Sequence, residues 1–128
     1  MERLAGFGIN QKERKFSHSA LEAGFLVYPG VAITCFPPVE DRRGNTKKTV
    51  TKPDFLVIHP TNHDLREHVE ITNGAGHLPS KDAQRRVIEQ AGIENYSVLT
   101  GYEVDEFSGL ATPQIKFVWL CNRFSWPT

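Results

Sequence analysis

Asp54 and Glu70 stand out because each falls within a run of residues that otherwise reads as a buried strand. Asp54 opens Pro53-Asp54-Phe55-Leu56-Val57-Ile58, and Glu70 lies inside His68-Val69-Glu70-Ile71-Thr72. An uncompensated carboxylate on an apolar strand is costly, so a strand interior normally avoids one. A divalent cation is the leading compensation, and it also brings chemistry. Mg2+, or Mn2+ in its place, takes oxygen ligands in octahedral geometry and keeps several waters. Asp54 and Glu70 with one backbone carbonyl, assigned to Ile71, would leave positions for phosphate and water. Hydrolysing a phosphodiester requires charge stabilisation on the phosphate, an activated water and neutralisation of the leaving oxygen, and two carboxylates with such an ion supply most of this.

The elements that must position this pair are legible as patterns. Phe55 to Ile58 is nearly all apolar, as in a central strand covered on both faces. Glu67 to Thr72 alternates, which puts His68, Glu70 and Thr72 on one face and Val69 and Ile71 on the other. Ser80 then caps a helix in which Ala83, Val87, Ile88 and Ala91 recur at helical spacing and which Gly92 closes. Tyr96 to Thr100 follows as a strand, so this β-α-β unit predicts two parallel strands. Upstream, Ser17 or Ser19 caps a short helix containing Ala20 to Leu26 that ends before Pro29-Gly30, and residues 1–16 read as a loosely held arm or short helix. Val31 to Phe36 is a strand stopped by Pro37-Pro38, and Lys47 to Thr51 begins a second that runs on toward Ile58. Ile115 to Leu120 reads as the last strand. At 128 residues the chain is one α/β domain.

Pro-Asp, a strand, and then an acidic residue followed two positions later by a polar one resemble the signature of the PD-(D/E)xK nucleases. The resemblance implies a restriction-endonuclease-like fold, a mixed central sheet flanked by helices, and a Mg2+-dependent endonuclease acting on DNA. Asp54 and Glu70 match the metal-binding carboxylates. Thr72 stands where the family has lysine, and it carries no charge with which to assist the attacking water. Lys81, at the start of the following helix, is the best replacement and Lys52 the second. Ser19-Ala20-Leu21-Glu22 supplies Glu22 for the acidic residue that recurs on the superfamily's first helix, and Gln84 matches the polar residue on the helix after the motif. The order of these segments over residues 17–102 is similar to the endonuclease subunit of heteromeric transposases. A domain of this size covers only part of a duplex, which implies a homodimer or a larger assembly.

Lys plus Arg and Asp plus Glu each total 15, which argues against coating nucleic acid by bulk charge. Arg42, Arg43, Lys47, Lys48 and Lys52 nevertheless cluster just before Asp54 and read either as a solvated loop or as contacts to DNA phosphates. Competing readings stay open. Asp54 and Glu70 could be a turn residue and an ion-pair partner of Arg66 or Lys81, and the nuclease fold could persist as a non-catalytic nucleic-acid-binding or assembly module. His59, His63, His68 and His77 invite zinc, but Pro60 argues against the helix that would align His59 with His63, so a surface loop fits them better. His68 keeps interest as a general base beside Glu70. Trp119, Phe124 and Trp126 read either as core and edge packing or as rings that stack bases or form a protein interface. Cys35 and Cys121 read as buried thiols in strand-like surroundings, which with the absence of a spanning run or secretory leader predicts an intracellular protein without membrane association.

Overall fold

A computed structural model describes residues 10–40, 47–72 and 79–128. In chain order the elements are α1 (Gln11–Glu22), β1 (Leu26–Pro29), β2 (Ile33–Glu40), β3 (Lys47–Thr51), β4 (Phe55–Ile58), β5 (Arg66–Ile71), α2 (Pro79–Gln90), β6 (Tyr96–Leu99), α3 (Gly101–Ser108) and α4 (Pro113–Arg123). They form a mixed α/β fold. A four-stranded sheet runs in the order β1-β4-β5-β6, and β2 pairs with β3 as a separate antiparallel hairpin. β4 is antiparallel to both neighbours, whereas β5 and β6 are parallel, as the β-α-β pattern predicts.

One face of the sheet makes the main core. Val27, Phe55, Val57, Val69, Ile71 and Leu99 project from it into a cluster closed by Phe16 and Ala20 of α1, Val104 and Phe107 of α3, and Leu120 and Cys121 of α4. Phe16 is its hinge pin, with its ring 5.5 Å from that of Phe55 and 5.8 Å from that of Phe107. α2 packs instead against β2 and β3, where Ile33, Cys35, Ala83, Val87 and Ile88 are buried in a second, smaller layer. Among the described residues no helix is long and apolar enough to cross a membrane.

Several expectations are corrected. Ile115 to Leu120 is helix, not strand: Thr112 accepts the Ile115 N–H at 3.1 Å, Pro113 sits at the first helical positions, and burial recurs at Lys116, Leu120 and Cys121 with helical rather than alternating period. Cys121 is accordingly a helix residue, although it and Cys35 are both buried free thiols as expected. Lys47 to Ile58 is not continuous. Pro53 lacks the N–H a central strand needs, and the chain breaks at Lys52-Pro53 to leave the hairpin and enter the main sheet. Of the two readings of residues 1–16, the described part follows the helix: α1 begins at Gln11 because Asn10 caps it by accepting the Glu13 N–H at 2.8 Å. It ends at Glu22, and Leu26, expected in the helix, opens β1 instead after Gly24 takes a positive φ of 103°.

Candidate functional site at Asp54 and Glu70

The β4–β5 register brings the two carboxylates together. Phe55 pairs with Val69, so one step back along β4 Asp54 stands beside Glu70. Asp54 is fixed at both ends: its carbonyl accepts the Gly30 N–H at 3.0 Å, and its Oδ2 accepts the Ile71 N–H at 2.8 Å. Gly30 is required there, because a Cβ would lie 1.6 Å from the Pro53 carbonyl oxygen. Glu70 is almost fully buried at 5% exposure, with Oε1 accepting from Gln84 Nε2 at 3.3 Å. Gln84 is held in turn by the Tyr96 hydroxyl, which donates to its Oε1. Thus α2 and β6 orient Glu70, while β5 itself orients Asp54.

The pair also shapes the local field. Burial pushes the Tyr96 phenol above its ordinary value, the Glu70 carboxylate adds to that and Asp54 adds a little more, with Arg85, 5.4 Å above the ring, opposing them. The phenol stays protonated and keeps its role as donor. His68 lies on the same face of β5, two residues before Glu70 and paired in register with Tyr96. Burial, helped by the Arg66 charge, lowers its pKa below the usual imidazole range, and its Nδ1 has no hydrogen-bond partner among the described residues. Thr72 is buried at the end of the same face, where its N–H donates to the Leu99 carbonyl at 2.9 Å.

The other predicted site residues fall elsewhere. Glu22 ends α1, and the chain then enters β1 at Leu26, which pairs with Ile58 at the opposite end of β4 from Asp54. Its partner is Lys116, with Nζ 2.5 Å from Oε1, so Glu22 ties α1 to α4 and does not join the strand pair. Ile71 contributes its N–H to Asp54 and its side chain to the core. Lys81 lies in the first turn of α2, three residues before Gln84, but its side chain falls outside the described residues. Lys52 is exposed in the link between β3 and Asp54, Lys48 is half-buried on β3, and Lys47 opens that strand. Arg42 and Arg43 lie outside the described residues.

Tyr96 was not singled out from sequence, although the signal was present: in a β-α-β unit with parallel strands, its position opposite His68 puts it on the face of Glu70. The opposite face of β5 carries Glu67, likewise overlooked. It is buried, accepts from Ser97 Oγ at 2.5 Å, and burial pushes its pKa up to about 7 against the Ser97 hydrogen bond and the Arg123 charge.

Among the described residues no three His, Cys, Asp or Glu side chains gather as a metal-holding group. His59 caps its own turn, its Nδ1 accepting from the Thr61 and Asn62 N–H groups at 3.2 and 3.1 Å, and packs edge-on against Phe117 and Trp126. His63 sits in the same loop, with Nε2 3.2 Å from the Pro60 carbonyl oxygen. His77 lies outside the described residues. Two oriented carboxylates suit a hard, oxygen-seeking cation that retains water better than they suit zinc. No protein-family model, curated protein or solved structure matches this chain.

Proposed function

We propose that the protein is a metal-dependent endonuclease of restriction-endonuclease-like type, hydrolysing DNA phosphodiester bonds at Asp54 and Glu70. The observation that carries this reading is the placement of the two carboxylates side by side across β4 and β5, each oriented by its own hydrogen bond. Two adjacent negative groups in partly buried surroundings repel one another, which favours a cation between or beside them. Asp54, Glu70 and the Ile71 carbonyl would hold Mg2+ or Mn2+, which would supply positive charge to the phosphate and acidify a water. The chain's own residues hold the site in shape: Ile71 N–H fixes the Asp54 carboxylate, and Gln84, backed by Tyr96, fixes that of Glu70. Water adds to phosphorus, one P–O ester bond breaks, and the proton lost by the water ends on the departing oxygen. Thr72 or Lys81 positions that water, and Arg42, Arg43, Lys47, Lys48 and Lys52 draw in the phosphate backbone.

A second reading is favoured by the Glu70–Gln84–Tyr96 chain, in which the Gln84 amide donates to Glu70 and is itself held by the Tyr96 hydroxyl, an arrangement that suits a non-catalytic nucleic-acid-binding or assembly module. Incubating the protein with supercoiled plasmid and Mg2+ or Mn2+, beside Asp54→Ala and Glu70→Ala, separates the two. Nicking that needs the ion and falls at least 100-fold in both variants is the expected result. No cleavage by the parent protein with either ion, together with an intact shift of a DNA probe, would establish the binding module instead.

A further inference from the structure

The largest exposed ring in the described structure is not near the core but on the hairpin that leads to Asp54. Phe36 is 87% exposed. Its setting is a built one. Thr34 pairs with Val50 and Val39 pairs with Lys48, so Cys35, Phe36, Pro37 and Pro38 stand against the single residue Thr49 as an extended bulge. Bulges re-aim side chains. Here Cys35 turns inward, buried, with its Sγ 3.8 Å from the Lys48 carbonyl oxygen, and Phe36 turns out to water. Two prolines follow and restrict the backbone, so the ring stands on a stiff support. Val50, also exposed, lies beside Thr34 on the outward face, and exposed Lys52 follows directly after β3.

Single exposed hydrophobic side chains are ordinary and carry no message alone. Charge is what selects an occupant for this one. Residues 33–52 contain five basic side chains, Arg42, Arg43, Lys47, Lys48 and Lys52, against Glu40 and Asp41. A stiff exposed ring on a segment of basic composition, with Lys48 on the facing strand and exposed Lys52 just after it, matches the demands of unpaired nucleic acid, whose bases offer flat faces and whose backbone offers phosphates. A fully paired duplex keeps its base faces stacked and has no use for such a ring. The position fits as well. Ile33 pairs with Thr51, Asp54 comes three residues later, and at about 3.3 Å per residue the bulge lies within about 20 Å of the carboxylates.

We propose that Phe36 stacks against an unpaired nucleobase, so that the nucleic acid bound at this molecule presents a single-stranded stretch to the hairpin. The assignment of cleavage to that strand rests on the nuclease reading of Asp54 and Glu70; the stacking itself does not. The test is fluorescence anisotropy in EDTA, where nothing is cut. The probes are a labelled single-stranded oligonucleotide and a blunt duplex of the same sequence, the strand also carrying 2-aminopurine as a stacking reporter. Phe36→Ala should weaken binding of the single strand about ten-fold and abolish quenching of the reporter while leaving the duplex unchanged. Phe36→Trp should restore both, and Tyr102→Ala, which removes another exposed ring on α3, should alter neither. Because Phe36 is exposed, an unchanged Tm checks that the variants fold. Single-strand binding by Phe36→Ala equal to that of the parent overturns the proposal, as does equal loss on strand and duplex, or a parent protein that binds no single strand because the ring serves a protein partner. A protein that binds strand through Phe36 yet never nicks plasmid retains the stacking and loses only the nuclease reading.

Discussion

Glu67 shows how one residue's surroundings reach a measurable property of the whole fold. Its carboxyl titrates near 7 in the folded chain, against an ordinary 4.5, chiefly because burial disfavours the charged form. Between those values the folded chain holds a proton that the unfolded chain has released, so stability falls as pH rises across that window and levels out above it. Glu67→Gln keeps an oxygen for the Ser97 hydroxyl and carries no charge. Thermal unfolding should therefore show it equal to the parent at pH 5 and more stable at pH 8, by on the order of 1 kcal/mol once solvent screening is allowed for; equal pH slopes for the two proteins would refute this. Gly30 makes the corresponding steric case. Gly30→Ala places a Cβ 1.6 Å from the Pro53 carbonyl oxygen and disturbs the amide that holds the Asp54 carbonyl. Urea denaturation should show a loss at or beyond the upper end of the about 1–3 kcal/mol usual for overpacking. Plasmid nicking, where present, should fall with it.

At the scale of elements, the sequence was most readable where one face of a strand or helix had to be apolar and the other polar. The alternation through His68, Glu70 and Thr72 and the spacing of Ala83, Val87 and Ile88 located β5 and α2, and with them the neighbourhood of Glu70 and Gln84. It was least readable where apolar residues filled both faces. Ile115, Phe117, Val118 and Trp119 are good strand formers, and a short apolar run does not reveal its own period. Only the capping chemistry at Thr112-Pro113 distinguished helix from strand. α3 also went unread, although Thr100-Gly101-Tyr102-Glu103 is a capping box: Thr100 accepts the Glu103 N–H at 3.1 Å and Glu103 accepts the Thr100 N–H at 3.0 Å. Glu22 matched the resemblance in sequence order, but the turn into β1 carries it to the other end of β4. The capping box makes a direct test. Thr100→Ala should cost about 1 kcal/mol, seen as a Tm drop of several degrees, whereas Lys12→Ala, which removes a surface pairing with Asp105, should leave the Tm at the parent value. Equal losses in the two variants would show that the cap contributes nothing particular.

The whole molecule is electrically neutral, yet its charge is divided unevenly along the chain. Residues 33–52 together with α2 hold eight basic and four acidic side chains, a surplus of four that the remainder of the chain cancels. On the other side of the main sheet, Lys12 and Lys15 of α1 are engaged by Asp105 of α3 at 2.7 and 3.0 Å. If attraction to nucleic acid followed net charge, removing any two lysines would weaken binding alike. If it follows the basic segment, only that segment's lysines count, because interactions between exposed charges fade over a Debye length of about 8 Å at physiological salt. Each phosphate contact with a single strand adds about 0.7 to the slope of log affinity against log salt. Lys48→Gln with Lys52→Gln should therefore flatten that slope by about 1.4 and weaken binding at low salt. Lys12→Gln with Lys15→Gln, the same change in net charge, should leave the slope where it was. Anisotropy titrations across a salt series measure both, and a matching drop in the two double variants would return the attraction to bulk charge and remove the hairpin segment as its source.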